Sequence, residues 1–391
     1  MNSLNKNSIF TRDIRILMLA SFFYMASPML VTPLITGFSE TLGASGWIMG
    51  LVGGLTNLCS LLFQPFAGGW ADRESKYKLG CIGVGFLILA CLGYVLSKTA
   101  KMVLIFRMIN GIGFAFCSVC FSTWIANLLP SDRIGYGMGL YGMMNALAMA
   151  IAPGVGVFLY QRVGYHWAFG AATFFAIVCM ILIQFCQDKG EAFEGAEIKN
   201  RKWELLDVRV LPVALVVLFF ALPYCATQSF IVRYAETKQL NITVSLFFTL
   251  YAMALLTSRI LLRNWFDKWS YHKFLGIGSL CALASLYFLG TMENNGELFL
   301  GALFMAGGYG IMCTVSQSKA ITLVEPEKRG IANGTYYMGL NAGMAFGPFL
   351  GGVLYGQFPI QWFYPLLMCT VPIGLLLYWV VGKMVKGKKE V

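Results

Sequence analysis

Long apolar runs separated by short polar segments recur along the whole chain. Each run holds about 20 residues, which is enough for a helix to cross a hydrocarbon core roughly 30 Å thick. The runs do not alternate polar and apolar positions as barrel strands do, and only helices and closed barrels satisfy their backbone hydrogen bonds in lipid. The pattern therefore predicts an all-α membrane protein with twelve transmembrane helices, at 14–37, 46–70, 79–97, 101–128, 136–160, 166–186, 211–233, 243–263, 274–292, 298–323, 331–355 and 361–383.

The composition agrees with a membrane protein. Of the 391 residues, 58% are hydrophobic and only 12% are charged, which is too little polar surface to cover a soluble globule of this size. The net charge of +11 could suggest nucleic-acid binding, but the basic residues are spread in small groups between the runs, so we expect no nucleic-acid partner. The 11 cysteines lie inside or at the edges of the apolar runs, which argues against a disulfide scaffold.

Lysines and arginines lie mainly on one side of the predicted membrane, the side that holds Arg73, Lys76 and Lys78. The positive-inside rule assigns that side to the cytoplasm. An even number of spans then places both termini in the cytoplasm, and we expect a multi-pass protein of the cell (plasma or inner) membrane embedded in the lipid bilayer. Few basic residues fall in connections on the opposite side, and these are Lys98, Lys101, Arg162 and Lys238.

The second half of the chain repeats the first at a constant shift of 195 positions, as from Pro28 to Pro223. The connection between the halves mixes acidic and basic residues and has few large apolar ones, which predicts a solvated linker. We therefore divide the chain into an N-terminal six-helix half (1–187), a cytoplasmic linker (188–209) and a C-terminal six-helix half (210–391). Further matched pairs are Asp72-Arg73 with Asp267-Lys268, Tyr141 with Tyr336, Pro153 with Pro348, Gly156 with Gly351 and Trp167 with Trp362.

A charged segment between the second and third runs, Gly68-x-x-x-Asp72-Arg73-x-x-Lys76-x-Lys78, resembles the signature loop of the major facilitator superfamily. The family usually has glycine where this chain has Ser75, and glycine is needed there if the backbone requires a positive φ. The resemblance implies two pseudo-symmetric halves that alternate access to a midplane site. It also implies that the loop carboxylate docks against a neighbouring helix end and holds one gate shut, whereas the alternative is a plain topological turn. The gating candidates are Gly68, Asp72, Arg73, Lys76 and Lys78, with a degraded counterpart in Asp267 and Lys268.

Small residues spaced one turn apart mark the eleventh predicted helix. Small residues let a neighbouring helix approach closely, and a proline permits a bend. The pattern resembles the antiporter motif that exporters of this superfamily carry in their fifth helix, where this chain has only a shorter version. Ordinary helix packing is the alternative. The residues are Gly343, Gly347, Pro348, Gly351 and Gly352 in the eleventh helix, and Pro153 and Gly156 in the fifth.

The fourth predicted helix carries Arg107 in the sequence Phe106-Arg107-x-x-Asn110-Gly111-x-Gly113, which resembles a further motif of the family. In the family this arginine faces the central cavity and is tied to proton coupling. A charged residue inside a span costs free energy and is rarely there without use. The alternative is that Arg107, which lies near the outer boundary, reaches the headgroups with its long side chain.

Other polar residues within the spans are candidates for substrate or coupling contacts, because amides in lipid need partners. Arg233 and Lys319 lie near span ends, where snorkelling to the headgroups is the alternative. Arg259 and Arg263, one turn apart at the cytoplasmic end of the eighth helix, are interpreted as gate or headgroup contacts. The full set of substrate and coupling candidates is Arg107, Asn110, Asn145, Gln228, Arg233, Gln317, Lys319 and Asn341.

All 18 aspartates and glutamates fall in loops or at span borders. A cavity with Arg107 and Lys319 but no buried acid suits an anionic, zwitterionic or neutral amphipathic solute. The sequence shows no phosphate loop, metal-ligand cluster or nucleophile with its base, so we expect no enzyme activity, metal site or cofactor.

These features predict a monomeric secondary transporter that resembles the drug and metabolite exporter branch of the superfamily. It would export a small-molecule substrate by alternating access, with protons as the coupling ion. Two alternatives stay open at this point. One is uptake of an organic anion by the same fold, and the other is a membrane sensor that binds a ligand without transporting it.

Overall fold

The computed structural model of the chain describes residues 11–44, 46–191, 205–262, 264–266 and 268–387. Nearly all of these residues are in helices, and none of them is in a strand. The chain forms two compact units. The first comprises Met1–Leu205 and Glu325–Gly334, and the second comprises Leu206–Val324 and Thr335–Val391.

The first unit is built from six long helices and one short helix. Three of the long helices begin at a serine or threonine whose side chain accepts a hydrogen bond from the backbone N–H three residues later, which satisfies a donor that the helix itself cannot. These caps are Thr11, Ser75 and Thr99. The helices are α1 (Arg12–Val31), α2 (Ile35–Thr41), α3 (Gly46–Arg73), α4 (Lys76–Leu96), α5 (Ala100–Leu128), α6 (Ile134–Val163) and α7 (Tyr165–Gln184).

The second unit contains the remaining helices of the described chain. One of them, α13, begins in the segment Glu325–Gly334 of the first unit and continues in the second. A π-helical turn at Ala306–Gly310 joins α11 to α12. The helices are α8 (Leu211–Thr237), α9 (Ser245–Leu261), α10 (Tyr271–Thr291), α11 (Asn295–Met305), α12 (Ile311–Thr322), α13 (Arg329–Gln357), α14 (Phe363–Met368) and α15 (Thr370–Gly387).

Each predicted span corresponds to one or more helices, and the all-α membrane fold is confirmed. Ten helices within the described residues are long and apolar enough to cross a membrane. The two other predicted spans correspond to α9, which has 17 residues, and to α13, which has 29 residues but is rich in glycine and polar side chains. The length of α9 and the composition of α13, rather than missing helices, therefore separate these ten from the predicted twelve.

Three predicted spans are interrupted in the structure. The first breaks after Val31, where Pro33 has no N–H to continue the helix, and resumes as α2. The tenth contains the π-helical turn, in which a side chain on Gly308 would collide with the backbone of Ala282 on α10. The twelfth is divided between α14 and α15 at Cys369.

Glycines of α13 allow it to lie directly against α8 in the second unit. A Cβ on Gly343 would lie 2.7 Å from the carbonyl oxygen of Leu218, and a Cβ on Gly347 would lie 2.8 Å from that of Leu222. These distances are too short for any side chain, so the small residues are required by the packing.

The same kind of contact occurs in the first unit, where a Cβ on Gly156 of α6 would collide with the carbonyl of Leu30 on α1. Gly351 lies against Phe230 in the second unit, whereas Gly352 has more room there. Pro153 and Pro348 lie inside the long helices α6 and α13. Helix packing thus accounts for the spacing of these glycines without reference to the direction of transport.

Candidate functional site

Asp72 caps the first turn of α13. It lies in the last turn of α3 and is only 6% exposed. Its two carboxylate oxygens accept hydrogen bonds from the backbone N–H groups of Gly330 at 2.5 Å and Ile331 at 2.9 Å. The first N–H groups of a helix have no partner within that helix and carry a positive partial charge. A carboxylate at this place satisfies both donors and is stabilised by the field of the helix.

Gly68, one turn before Asp72, makes this cap possible. A Cβ at Gly68 would lie 2.9 Å from the carbonyl oxygen of Gly330 and 3.1 Å from the Cα of Ile331. A Cβ at Gly330 would in turn lie 2.6 Å from the Asp72 carboxylate. The backbones of α3 and α13 therefore touch here. Gly68 and Asp72, one helical turn apart, both contact the start of α13.

A second set of hydrogen bonds joins the start of α13 to the end of α5. Arg329 donates from Nη1 to the carbonyl oxygen of Ala126 at 2.7 Å and to Oδ1 of Asn127 at 3.2 Å. Asn333 donates from Nδ2 to Oγ1 of Thr123 at 3.0 Å. The sequence analysis missed these residues, because Arg329 looks like one more cation of a cytoplasmic connection.

The predicted charged loop is shorter than expected, because α3 and α4 extend into it and leave only Glu74 and Ser75 between them. Ser75 has a φ of −60°, so this position does not need the freedom of glycine. Its hydroxyl donates to the carbonyl oxygen of Lys189 at 2.6 Å. The serine thus begins α4 and also binds the segment that follows α7.

That segment, Gln187 to Glu191, is bonded to the first unit at several points. Lys76 is 1% exposed and donates from Nζ to the carbonyl oxygen of Glu191 at 3.2 Å, while its backbone N–H donates to that of Gly190 at 2.8 Å. Asp188 accepts a hydrogen bond from Nε1 of Trp124 at 3.0 Å. The described start of the predicted linker therefore lies against the signature motif.

The other gating candidates are distributed differently. Arg73 is half-buried, and Lys78 and Lys268 are exposed. Asp267 and Arg263 lie outside the described residues. The structure therefore brings Gly68, Asp72 and Lys76 together in the first unit, while their roles in gating remain predictions.

Arg107 does not extend towards solvent, because it is only 3% exposed. It donates from Nε to the carbonyl oxygen of Val52 at 2.8 Å and from Nη2 to that of Gly53 at 3.0 Å. Thr56 of α3 donates to the carbonyl oxygen of Arg107 at 3.2 Å. Arg107 thus joins α5 to α3 through backbone groups.

Two asparagines of the first unit have buried polar atoms without a hydrogen-bond partner among the described residues. Asn110 lies one helical turn after Arg107 on α5 and is fully buried, and neither its Oδ1 nor its Nδ2 has such a partner. In Asn145, on α6, the atom without a partner is Oδ1. Buried amides of this kind suit contacts with a polar solute or with water.

The second unit holds an aromatic cluster made by Tyr224 of α8, Tyr251 of α9 and Tyr309 of the π-helical turn, here called the tyrosine cluster. The rings of Tyr224 and Tyr309 stack with centroids 4.1 Å apart, and those of Tyr224 and Tyr251 are 5.0 Å apart. Gln228, a predicted substrate contact, donates to the hydroxyl of Tyr224 at 2.6 Å. The cluster therefore combines flat apolar surfaces with hydroxyl and amide groups.

Arg259, which the sequence analysis interpreted as a gate or headgroup contact, is buried beside this cluster. It is 8% exposed, and it donates from Nη2 to the carbonyl oxygen of Gly310 at 3.4 Å. Its Nε and Nη1 have no hydrogen-bond partner among the described residues. Its electrostatic neighbours are Cys313 and tyrosines. Because Arg259 is so near the end of α9, the sequence could not show which way it points.

The remaining candidates of the second unit lie in three settings. Gln317 and Asn341 are buried, and Gln317 donates to the hydroxyl of Tyr337 at 3.0 Å. Arg233 belongs to α8, but its side chain is not described. Lys319 lines a separate cavity of about 390 Å³, together with His272, Lys383 and Trp379. No residue of the tyrosine cluster lines that cavity.

Among the described helices, aspartates and glutamates occur only near helix ends or in the short helix α2. The described residues also contain no cluster of histidine, cysteine and acidic side chains that could hold a metal ion. In this part of the chain the charges buried within the helices are therefore mainly cationic.

The family model of the Major Facilitator Superfamily matches residues 17–292 and 217–390. The chain belongs to the major facilitator superfamily. Members of this family are transporters, which agrees with helices that cross a membrane and with the capped signature motif. The resemblance inferred from the motif is confirmed.

Individual superfamily proteins show how far the similarity extends. Multidrug resistance protein 1 of Bacillus subtilis (strain 168) is 24% identical over 353 residues, which cover 88% of this chain and 90% of the relative. The human organic anion transporter MFSD10 (TETRAN) has a similar structure, with a TM-score of 0.76 and 16% identity over 94% of this chain and 99% of that one. The proton:xylose symporter XylE gives a TM-score of 0.72 with 14% identity over 94% and 95% of the two chains. The likeness to these structures shows the fold alone.

Proposed function

We propose that the chain is a proton-coupled exporter in the cell membrane. Its solute is small, amphipathic and anionic or zwitterionic, and it is transported by alternating access. The observation that carries this proposal is the cap of Asp72 on α13. The cap consists of two hydrogen bonds to backbone N–H groups, which can break and form again without rebuilding either helix. Such a contact suits a gate that opens once in each transport cycle.

The charge of the proposed solute follows from the buried groups of the described helices. Arg107 and Arg259 are buried, whereas no carboxylate of the described residues lies near a helix middle. A site with this balance attracts negative charge and disfavours a purely cationic drug. The fold is shared with MFSD10, an organic anion transporter, which is consistent with this choice of solute.

Export is supported by the similarity to a multidrug resistance protein, and uptake of an organic anion by the same fold is the alternative. Both hypotheses include proton coupling. They differ in whether the solute moves against the proton or in the same direction. A third possibility, a sensor that binds without transporting, predicts no flux in either direction.

A flux experiment separates these three functions. Full-length protein is reconstituted into vesicles with its cytoplasmic face outward, and accumulation of 2-naphthoate, neutral 2-naphthamide and cationic ethidium is measured with an acidic lumen and without a gradient. For an exporter of anions we expect the acidic lumen to drive naphthoate inward in exchange for protons. Loss of preloaded naphthoate under the same gradient, beyond the loss from protein-free vesicles, would indicate a symporter. Ethidium accumulation alone would contradict the charge argument, and absence of any flux would contradict transport of these probes.

Asp72→Asn is the variant for this assay, and Glu74→Gln is its matched control, because Glu74 is an exposed carboxylate two residues away. Loss of flux in the first variant with normal flux in the second supports the gate. Normal flux in both variants would contradict a gating role of Asp72.

A further inference from the structure

We infer that Arg259 and the tyrosine cluster form the site that recognises the anionic group and the flat apolar body of the transported solute. This inference rests on the proposed function, because it names the groups that would select the proposed substrate class. It assigns the main cationic contact to Arg259, and not to Arg107 or Lys319 as the sequence suggested.

The hydrogen bonding of Arg259 provides the first argument. A guanidinium has five N–H donors, and leaving a buried charge without partners costs free energy. Arg259 is 8% exposed, yet its Nε and Nη1 have no partner among the described residues, and its bond to Gly310 is long at 3.4 Å. An arginine that served only to hold helices together would have its donors on carbonyl or carboxylate groups, as Arg107 has.

The absence of an acidic partner among the described residues provides the second argument. Among the described residues Arg259 forms no ion pair, and the ionisable groups near it are the phenols of Tyr251, Tyr309 and Tyr336 and the thiol of Cys313, none of which is a carboxylate. A planar guanidinium fork matches the geometry of a carboxylate and can form two parallel hydrogen bonds with it. The unused charge and donors are therefore complementary to an organic carboxylate.

The surroundings of Arg259 define the rest of the ligand. Tyr224 and Tyr309 are stacked and Tyr251 lies against Tyr224, so three flat apolar rings lie beside the charge. Gln228 and the phenol groups supply neutral hydrogen-bonding groups. The solute class that fits both parts is an aromatic or similarly flat carboxylate.

The π-helical turn places these parts together. Tyr309 and Gly310 both belong to it, and the carbonyl of Gly310 is the acceptor for Arg259. A Cβ on Gly310 would lie 2.5 Å from a methyl carbon of Leu255 and 3.3 Å from the hydroxyl of Tyr251, so α9 lies close to the turn. Single π-helical turns within helices occur frequently at functional sites, and this one holds both an aromatic face and the arginine.

Arg107 and Lys319, the two cations that the sequence suggested, do not offer the same combination. Arg107 uses Nε and Nη2 on carbonyl groups of α3. Lys319 lies in the cavity with His272 and Lys383, apart from the tyrosine cluster. Lys319 is therefore a matched control, since it is a cation of the same unit, half-buried and outside the proposed site.

The test is ligand binding by purified full-length protein in detergent without any ion gradient. Thermal unfolding is measured with 2-naphthoate and with 2-naphthamide, which has the same ring system and no charge, for wild type, Arg259→Gln, Arg259→Lys and Lys319→Ala. We expect naphthoate to stabilise wild type more than naphthamide does, because only the carboxylate can pair with Arg259. We expect Arg259→Gln to weaken naphthoate binding about tenfold or more and to abolish the difference between the two probes. Arg259→Lys keeps the charge without the fork and should retain part of the difference, whereas Lys319→Ala should retain all of it.

The inference is overturned if wild type responds equally to the two probes, if the preference for naphthoate survives in Arg259→Gln, or if it disappears in Lys319→Ala. The ligand-free proteins give an independent measurement, because removing an uncompensated buried charge should not lower the apparent Tm. A much lower Tm of ligand-free Arg259→Gln would assign Arg259 a structural role and overturn the inference.

This assay is independent of the flux experiment. Binding that depends on Arg259 without flux in vesicles would leave the inference standing and contradict transport. Naphthoate flux that is unchanged in Arg259→Gln would support transport and contradict the inference.

Discussion

The carboxylate of Asp72 accepts a 2.5 Å hydrogen bond from the backbone N–H of Gly330, which lies 258 positions later in the chain. Asp72 lies in the last turn of α3, and Gly330 is in the first turn of α13. The second carboxylate oxygen accepts from Ile331, so one side chain satisfies two N–H groups that the helix leaves without partners. The acidic residue of the motif thus has a specific partner in the structure.

Replacing Asp72 by asparagine should weaken this cap and reduce transport. The asparagine keeps one acceptor oxygen but directs an N–H group towards the second backbone donor, and it loses the charge that the helix end favours. We expect a loss of about 1 kcal/mol in the cap, which corresponds to roughly a fivefold change in a gating equilibrium. The measurement is solute flux in vesicles with equal amounts of wild type, Asp72→Asn and the control Glu74→Gln. Flux of Asp72→Asn equal to that of wild type would contradict a role of the cap in gating.

Replacing Gly68 by alanine tests the backbone contact below the cap. The added Cβ would lie 2.9 Å from the carbonyl oxygen of Gly330, so α3 and α13 would have to separate there. We expect Gly68→Ala to lower flux while the protein still inserts into the membrane. Gly54→Ala on the same helix is the control, because a Cβ at Gly54 meets no atom within 4 Å. Similar flux in the two variants would show that the close approach is not needed.

The sequence predicted the helices well and their contacts poorly, for a physical reason. Hydropathy and length report how long a segment stays in lipid, so every predicted span corresponds to helical structure, although three of the spans are interrupted. They do not report which residues contact each other. Nothing in the sequence around Asp72 indicates that its hydrogen-bond partner lies 258 positions later. Arg259 donates to Gly310 in the π-helical turn, and the hydropathy pattern does not predict that turn. Ser75 is a further case, because the resemblance drew attention to the missing glycine, whereas the structure shows that this serine caps α4.

Replacing Arg107 by alanine should destabilise the first unit. The change removes two hydrogen bonds from a charged group, at 2.8 and 3.0 Å, to carbonyl groups of α3. Hydrogen bonds to charged groups contribute about 1.5–3 kcal/mol each, so we expect a loss of roughly 3 kcal/mol and a clearly lower apparent Tm. Arg107→Lys should lose less, because an ammonium group can still reach one carbonyl.

Lys101→Ala is the control for Arg107, because Lys101 is an exposed cation at the start of the same helix. We expect its apparent Tm to equal that of wild type. An unchanged Tm in Arg107→Ala would mean that the arginine does not hold α5 against α3, and would favour a role in coupling alone.

Replacing Lys76 by methionine should loosen the segment from Gln187 to Glu191. Lys76 is 1% exposed, and its ammonium group donates to the carbonyl of Glu191, so methionine keeps the buried stem and removes only the charged donor. The backbone bond from Lys76 to Gly190 remains. We expect amide hydrogen exchange in this segment to become faster by about tenfold, the effect of losing one hydrogen bond from a charged group. Lys78→Met is the control, since Lys78 is exposed in the same turn, and its exchange should match wild type. If exchange in Lys76→Met is also unchanged, the ammonium group of Lys76 does not anchor the segment.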